Sequence, residues 1–274
     1  MTKGILDQLK ETAKFLQAQY PDRPSVGIVL GSGLGNFIEE IEVQKEVAYA
    51  DIPHFPVSTV EGHKGKLVFG RLSGKIVVAM AGRFHFYEGY SSQDVVFPIR
   101  VMKLLGVETL LLSNAAGAVN TNYKVGDMMI IRDHVSFFTP NPLIGQNIAE
   151  LGPRFPDMSE PYKKSLIHKA KVIAAKNDFD LQEGVYVSVT GPTFETRAEY
   201  QLIHLTGGDV VGMSTVQENI AANHMGMSVF AISVVTDLGI RADDNIITHE
   251  EVLQAAKEAE PKLALLFKEL VAAI

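Results

Sequence analysis

The chain has 274 residues and a formal net charge of -7; 46% of its residues are apolar, 21% are charged, and none is cysteine. The acidic balance argues against a nucleic acid or an anionic membrane as partner, yet one arginine and a few backbone amides suffice to hold a small anion. The lack of cysteine excludes disulfides, thiolate catalysis and cysteine-ligated zinc.

The N-terminal segment predicts no targeting or membrane element. The first four residues lack the apolar core of a signal peptide, and residues 5–20 predict an amphipathic helix. The longest apolar runs, such as 229–235, are too short to span a bilayer. We therefore expect a cytoplasmic protein that forms a single domain over residues 1–274.

Apolar runs of strand length alternate with helical patterns along the chain. The predicted strands cover residues 26–30, 66–69, 76–81, 109–113, 128–131, 184–189, 209–211 and 228–235. The further predicted helices cover residues 92–105, 160–176, 196–205, 215–225 and 249–272. This alternation predicts an α/β fold, with a mixed, largely parallel β-sheet flanked by helices.

Two local features modify this pattern. Pro261 lies inside the last predicted helix and should kink or break it. Residues 132–160 are rich in proline and predict one long loop. Loops of that length are often functional or interfacial.

Small, polar or charged clusters follow six of the predicted strands. Because ligands gather at the carboxyl ends of parallel strands, these clusters predict one pocket. The clusters are Gly31-Ser32-Gly33-Leu34-Gly35, Gly82-Arg83-Phe84-His85, Asn114-Ala115-Ala116-Gly117, Thr190-Gly191-Pro192-Thr193-Phe194-Glu195, Gly212-Met213-Ser214 and Thr236-Asp237.

The glycine-rich cluster at 31–35 resembles a phosphate-cradling loop, because glycines let backbone N–H groups face an anion. It is not the dinucleotide-binding fingerprint, since Asn36 stands where that motif requires glycine. A tight turn between a strand and a helix is the alternative interpretation.

Arg83 and His85 are two residues apart, so an extended backbone places them on the same side. Arginine offers a planar fork to phosphate, and imidazole adds a hydrogen bond. A surface arginine beside a histidine at the core edge is the alternative. The small residues 114–117 suit close approach of backbone amides to a ligand, or a plain turn.

Predicted helix starts carry further candidates. Ser214 and Gln217 have capping-box spacing, and a capped helix N-terminus also stabilises an anion. Glu195 lies at another helix start, where an acidic residue often only complements the helix dipole. Thr248 and Glu251 predict a second capping box, which leaves His249 at the first helical position. Solvent exposure is the simpler expectation for that histidine.

Taken together, the motifs resemble those of the trimeric purine nucleoside phosphorylases along nearly the whole chain. Their order and spacing argue against a chance match. The most specific stretches are Gly31-Ser32-Gly33-Leu34-Gly35, Gly62-His63, residues 82–90, Asn114-Ala115-Ala116-Gly117, Gly191-Pro192-Thr193-Phe194-Glu195-Thr196 and Val211-Gly212-Met213-Ser214-Thr215.

The resemblance implies the nucleoside phosphorylase fold and assigns the candidate residues to subsites. Phosphate would be bound by Ser32, His63, Arg83, His85, the backbone of Ala115, and Ser214. Ribose would be held by Tyr87, Met213, His249 and Phe194. The purine would be held by Tyr186, Phe194, Glu195, Thr236 and Asp237. The catalytic residues would be His85, Glu195 and Asp237.

The resemblance also implies a pentosyltransferase of purine salvage that acts as a homotrimer. The 132–160 loop of one subunit would help to cover its neighbour's site. The substrates would be a purine nucleoside, such as inosine, guanosine or adenosine, and inorganic phosphate, with no metal or organic cofactor.

The chemistry of the implied reaction explains these residue types. Breaking the C1′–N9 bond builds positive charge on the ribose and negative charge on the purine, as in glycoside cleavage. Bound phosphate would stabilise the ribosyl cation and attack it. No nucleophile from the protein is then needed.

Three positions depart from the family pattern. Ala118 replaces a second glycine, Gln217 replaces a common proline, and Asp237 stands where enzymes for 6-oxopurines usually carry asparagine. The last change leaves the preference between 6-oxopurines and 6-aminopurines open. If Asp237 lies beside Glu195, we expect one of the two carboxyl pKa values to be raised.

Two other functions are alternatives at this point. A non-catalytic nucleoside-binding module would need a pocket but no phosphate site. A nucleoside hydrolase would favour an aspartate-rich calcium site near its N-terminus, whereas Asp243-Asp244 is an isolated pair.

Overall fold

Nine strands form one sheet in the computed structural model, which describes residues 4–57, 65–240 and 248–274. The strands are β1 (Val26–Val29), β2 (Glu42–Ala48), β3 (Lys66–Leu72), β4 (Lys75–Ala81), β5 (Thr109–Ala118), β6 (Met128–Val135), β7 (Gln182–Ser188), β8 (Val210–Gly212) and β9 (Ser228–Leu238). The helices are α1 (Ile5–Gln19), α2 (Ser92–Leu105), α3 (Lys164–Lys176), α4 (Arg197–Leu205), α5 (Val216–His224) and α6 (His249–Ala273).

The sheet is mixed and partly closed on itself. Its order is β2-β3-β4-β1-β5-β8-β7-β6-β9, and β9 also pairs with β5, so β5, β8, β7, β6 and β9 form a ring. β1 runs parallel to β4 and β5, β5 runs parallel to β9, and β7 runs parallel to β6 and β8. The pairs β2–β3, β3–β4, β5–β8 and β6–β9 are antiparallel. The predicted fold class is confirmed.

The centre of the core lies on β5 and β9. Leu110, Leu111 and Leu112 of β5 pair with residues 229–231 of β9, and all six side chains are at most 1% exposed. Side chains buried on both faces of a strand are typical of parallel pairs covered by helices. α6 packs against β9, and α2 packs against α1 and α5.

β5 and β9 both extend further than their apolar runs predict. β5 continues to Ala118 and β9 to Leu238, so residues 114–117 and Thr236-Asp237 lie within strands and not after them. The two strands pair with each other over this whole stretch, with a register shift between Ala116 and Gly117. Ladder hydrogen bonds therefore extend both strands past the point where the apolar pattern ends.

β2 has no counterpart in the predicted elements. It pairs with β3 at one edge of the sheet, and Val47 is its only buried residue. Its other side chains include Glu42, Lys45 and Glu46, and charged residues are common on edge strands, where they discourage pairing with other chains. An edge strand with almost no buried face lacks the alternation that predicts strands.

Of the two predicted effects of Pro261, a kink or a break, the break does not occur, because α6 continues through the proline to Ala273. Pro261 and Lys257, whose carbonyl the proline leaves without a helical partner, are both exposed, so this carbonyl lies on the solvent side of the helix. Throughout the described ranges, no helix combines the length and apolar character needed to cross a membrane.

The predicted 132–160 loop is shifted toward the C-terminus. β6 extends to Val135 because it pairs with β7, and α3 begins at Lys164. The irregular connection therefore covers residues 136–163. Its large apolar side chains Phe137, Ile144 and Phe155 are 88%, 68% and 87% exposed.

Candidate active site

A cavity of about 530 Å³ brings the predicted clusters together. It lies where β1, β4, β7 and β8 end, beside the C-terminal halves of β5 and β9. The predicted site residues that line it are Ser32, Arg83, His85, Tyr87, Ala115, Phe194, Glu195, Met213, Ser214, Thr236, Asp237 and His249. His63, the remaining predicted phosphate ligand, and the Asp243-Asp244 pair lie outside the described residues.

Gly31 lets the glycine-rich loop pack directly on β5. A Cβ at this position would lie 2.7 Å from Asn114 Cα and 2.8 Å from the Ser113 carbonyl oxygen, so only glycine fits. Gly33, with a φ of 74°, then turns the chain in a left-handed conformation. These two glycines place Ser32 in the same cavity wall as Ala115.

Arg83 is held in a buried ion pair that the sequence analysis missed. Its Nε and Nη2 donate to the two carboxylate oxygens of Glu218 at 3.1 and 2.8 Å, and the two side chains are 1% and 3% exposed. Nη1 donates to the Ser113 carbonyl at 2.7 Å and to Ser214 Oγ at 3.2 Å. The sequence feature that could have indicated this pair is Glu218 itself, which is the one acidic residue in the segment that forms α5.

This pairing defines what Arg83 brings to the cavity. The planar fork is fixed in orientation by a bidentate partner, which is the geometry that arginine forms best with carboxylates. The charge of Glu218 also balances that of Arg83, so the pair adds no net charge at this end of the cavity. An anion bound here would be recognised by directed hydrogen bonds more than by excess positive charge.

His85 is oriented by Glu88. The Glu88 Oε1 atom accepts from the His85 backbone N–H at 2.8 Å and lies 2.9 Å from His85 Nδ1. Because an ionised carboxylate only accepts, Nδ1 carries a hydrogen. The imidazole stacks on Tyr87, with ring centroids 4.7 Å apart. Burial, with the Glu88 charge adding to it, raises the pKa of Tyr87 to about 12, so its hydroxyl stays neutral.

The predicted capping box of Ser214 and Gln217 is wrong. The N-cap of α5 is Thr215, which makes no side-chain capping bond. Gln217 Nε2 instead donates to Ser92 Oγ and the Pro140 carbonyl oxygen, each at 3.1 Å, and so ties α5 to α2 and to the 136–163 connection. Ser214 is turned toward Arg83 because the guanidinium donates to it.

Tyr186 lies behind the cavity wall, which differs from the expectation that it lines the purine pocket. It is 0% exposed, and its hydroxyl accepts from the Ser214 backbone N–H at 3.2 Å. Gly212 separates it from the cavity, and a Cβ there would collide with the Tyr186 hydroxyl. Tyr186 therefore supports the backbone of Ser214.

The carboxyl groups of Glu195 and Asp237 also line the cavity. Glu195 Oε1 is buried. Burial raises the pKa of Glu195, hydrogen bonds from its own backbone N–H and from Tyr200 lower it, and the nearby charge of Asp237 raises it. Thr236 Oγ1 donates to Asp237 Oδ1 at 3.1 Å. This pair of carboxyl groups therefore offers acceptors to a ligand that carries N–H groups.

His249 and two apolar side chains complete the lining of the cavity. His249 is the first residue of α6, whose predicted capping box from Thr248 and Glu251 is confirmed. It lines the cavity with Met213 and with Phe194, which is 42% exposed. Over the described ranges, no three histidine, aspartate or glutamate side chains are grouped as a metal ion would need.

Comparison with known sequences gives one consistent family. The sequence model of the Phosphorylase superfamily matches residues 25–272. Purine nucleoside phosphorylase 1 of Bacillus subtilis is 50% identical over 266 residues, which cover 97% of this chain and 98% of that protein. Purine nucleoside phosphorylase of Bos taurus is 46% identical over 275 residues, covering 98% and 95%.

Comparison with solved structures leads to the same family. A purine nucleoside phosphorylase of Schistosoma mansoni in complex with inosine superposes with a TM-score of 0.93 at 40% identity, covering 98% of this chain and 97% of that one. Isoform 2 from the same organism, in complex with cytosine and ribose-1-phosphate, also gives a TM-score of 0.93, at 44% identity with 98% and 96% covered.

The buried ion pair generates a stability prediction. Glu218→Gln keeps the side-chain shape but leaves the Arg83 charge buried without its counterion. We expect the free energy of unfolding to fall by about 3 kcal/mol, measured by urea denaturation.

The matched control is Glu46→Gln, because Glu46 pairs with Lys66 at 2.6 Å and the two side chains are 43% and 27% exposed. Surface pairs contribute little, so the control should lose less than about 1 kcal/mol. Equal losses in the two variants would contradict the importance of burial.

Proposed function

The chain belongs to the Phosphorylase superfamily and, within it, to the purine nucleoside phosphorylases, and from that premise we propose how its cavity performs phosphorolysis. The enzyme cleaves a purine nucleoside with inorganic phosphate and releases the free purine and ribose 1-phosphate. It is a pentosyltransferase.

One observation carries the assignment of subsites: a group of hydrogen-bond donors and a pair of carboxyl acceptors line the same cavity. Arg83 contacts Ser214 in the first group, which also includes Ser32, and Glu195 and Asp237 form the pair. We place the first group at one end of the bound ligand and the pair at the other. A nucleoside with a phosphate placed beneath its ribose presents oxygen acceptors at one end and purine N–H groups at the other. The two ends of the cavity complement these groups.

At the donor end, phosphate is held by Ser32, Arg83, His85, Ser214 and the backbone of Ala115. Charge-assisted hydrogen bonds to phosphate oxygens fix its position against the anomeric carbon. As the C1′–N9 bond breaks, the phosphate oxygens stabilise the developing ribosyl cation and then attack it. This end of the cavity supplies electrostatics and positioning, and the nucleophile is the phosphate itself.

At the acceptor end, Glu195 accepts from the purine N–H groups and fixes the orientation of the ring. The burial of Glu195 supports this role, because burial disfavours the ionised carboxylate until a ligand supplies further N–H donors to it. When ionised, Asp237 accepts from a 6-amino group; when protonated, it donates to N7 or O6 and so takes up the negative charge that develops as the base leaves. Catalysis is therefore assigned to His85, Glu195 and Asp237.

The ribose lies between the two ends. Tyr87 and His249 supply hydrogen-bonding groups, and Met213 and Phe194 supply apolar contact for the sugar face. The raised pKa of Tyr87 supports its role as a neutral donor. His63 remains a proposed phosphate ligand outside the described residues.

The remaining proposals concern the whole protein. We infer that residues 1–274 form one catalytic domain, that the enzyme needs no cofactor, and that it acts in purine salvage in the cytoplasm. We further propose a homotrimer, supported by the exposed Phe137 and Phe155 on the 136–163 connection. Gln217 attaches this connection to α5 beside the phosphate subsite, so the neighbour's surface and the site are linked.

The assignment of Arg83 predicts the response to phosphate. Cleavage of inosine should require phosphate, and Arg83→Lys should raise the phosphate KM roughly 10- to 150-fold, because the charge remains but the directed guanidinium N–H groups that face Ser214 and the phosphate are lost. That range corresponds to about 1.5–3 kcal/mol for a charged hydrogen bond. Initial rates over a phosphate series measure it.

The control is Arg71→Lys, because Arg71 lies away from the cavity and its side chain is 42% exposed. Its phosphate KM should equal that of the wild type. Cleavage at full rate without phosphate would favour the hydrolase alternative, and binding without cleavage would favour the non-catalytic module.

The Asp237 assignment predicts base preference. An ionised Asp237 accepts from a 6-amino group, whereas asparagine donates to a 6-oxo group, and unpaired polar groups in a site strongly reject the wrong ligand. Asp237→Asn should therefore lower the ratio of adenosine to inosine kcat/KM by about tenfold or more.

The same variant predicts a pH effect. Only the ionised form of Glu195 can accept through both of its oxygens, so protonation weakens the binding of inosine, and the Asp237 charge raises the pKa of Glu195. Removing that charge lowers the pKa of Glu195, so the acid limb of the inosine profile should move to lower pH. Profiles of kcat/KM for adenosine and inosine, measured from pH 5 to 9 for the wild type and the variant, check the base preference and the pH effect. If Asp237→Asn changed neither the adenosine-to-inosine ratio nor the pH profile, Asp237 would not belong to the base subsite.

The proposed homotrimer predicts a response to charge on the exposed connection. Phe137→Asp places a carboxylate in an interface where its desolvation is unfavourable, so the variant should dissociate and lose activity. Light scattering should give three times the chain mass for the wild type. Val43→Asp, on the edge strand β2, is the control and should stay trimeric. A fully active wild-type monomer would contradict the proposal.

A further inference from the structure

Thr215 holds a backbone conformation that threonine rarely adopts. Its φ is 70° and its ψ is -49°, and the residue is 1% exposed. Positive φ is strained for a β-branched residue, and such strain persists where the surrounding contacts fix it, often at ligand sites. Because Thr215 makes no capping bond to α5, helix capping does not explain the position of its hydroxyl.

The Thr215 hydroxyl lies in a buried chain of hydrogen bonds that ends in the cavity. Asn114 Nδ2 donates to Thr215 Oγ1 at 2.8 Å, and Thr215 Oγ1 lies 3.1 Å from Ser214 Oγ. Arg83 Nη1 donates to the same Ser214 oxygen at 3.2 Å. Ser214 lines the cavity, so this chain leads from the buried β5 strand to the phosphate subsite.

The number of hydrogens sets the direction of the chain. The amide nitrogen of Asn114 only donates, so Thr215 Oγ1 accepts from it and needs an acceptor for its own hydrogen. Among the described residues, the hydroxyl of Ser214 is the acceptor within hydrogen-bonding distance. A buried hydroxyl hydrogen without an acceptor is unfavourable, so Thr215 donates to Ser214.

Ser214 Oγ then accepts two hydrogen bonds, one from Thr215 and one from Arg83, which occupy its two lone pairs. Its single hydrogen is left to be donated. We propose that Asn114 and Thr215 are positioning residues that make Ser214 an obligatory hydrogen-bond donor to phosphate. This inference rests on the proposed function, because it requires phosphate at this end of the cavity.

One other acceptor competes for the Ser214 hydrogen. The Tyr186 hydroxyl oxygen lies beside the residue and already accepts the Ser214 backbone N–H at 3.2 Å. A phosphate oxygen carries negative charge and is the stronger acceptor, so the Ser214 hydrogen turns to phosphate when phosphate binds. Because the other two bonds of Ser214 Oγ are already fixed, the rotation of this one hydrogen is the only change that the serine makes at that step.

A double-mutant cycle tests the inference through the phosphate KM at saturating inosine. Thr215→Val keeps the side-chain shape without the hydroxyl, and should raise the phosphate KM about tenfold with little change in kcat. Thr215→Ser keeps the hydroxyl and should restore the wild-type KM. In a Ser214→Ala background, Thr215→Val should change the KM less than about twofold, because Thr215 acts through Ser214.

Two results would overturn the inference: equal KM increases in Thr215→Val and Thr215→Ser, or the same fold increase from Thr215→Val with and without the Ser214 hydroxyl. Melting temperatures check folding, and Thr215→Ala removes the same hydroxyl with less bulk if the valine variant does not fold. Phosphate-independent cleavage by the wild type would instead refute the proposed function. If the wild type needs phosphate but the effects of Thr215→Val and Ser214→Ala on the phosphate KM are additive, this inference is refuted and the proposed function stands.

Discussion

The buried ion pair between Arg83 and Glu218 is the constraint on which the phosphate end of the cavity depends. Burying two charges is unfavourable unless their geometry is good and their remaining hydrogen bonds are made. Glu218 meets the first condition with its bidentate contact, and the Ser113 carbonyl and Ser214 hydroxyl help to meet the second. The orientation of the guanidinium follows from these partners, and the cavity is built around it.

The sheet brings this pair and the two carboxyl groups into one cavity. β5 lies between β1 and β9, so Ala115 of β5 is close to the glycine-rich loop after β1 and to Asp237 of β9. The ring of β5, β8, β7, β6 and β9 then adds the residues that follow β7 and β8, among them Glu195 and Ser214. An open parallel sheet would spread these groups along one edge, whereas the closed ring gathers them around a single ligand-sized space.

Much of this could be predicted from the sequence, because strand ends and helix caps are local signals. The apolar runs predict the fold class. The glycine positions predict the loop at 31–35, and the three-residue spacing of Thr248 and Glu251 predicts the cap of α6. The ion pair of Arg83 with Glu218 could not be predicted from the sequence, because the two residues are 135 positions apart. A lone glutamate in a helix also normally indicates a solvated face. The prediction of a Ser214–Gln217 capping box is wrong for a related reason, because Gln217 hydrogen-bonds to α2 and to the 136–163 connection, which are distant in sequence.

In the reaction that this cavity supports, phosphate, and not water or a protein side chain, takes the ribose from the purine. The most direct measurement follows the phosphorus by 31P NMR while the wild-type enzyme acts on inosine in phosphate buffer. We expect a ribose 1-phosphate resonance to grow at the same rate as hypoxanthine is released. Release of hypoxanthine with free ribose and no new phosphorus resonance would contradict it.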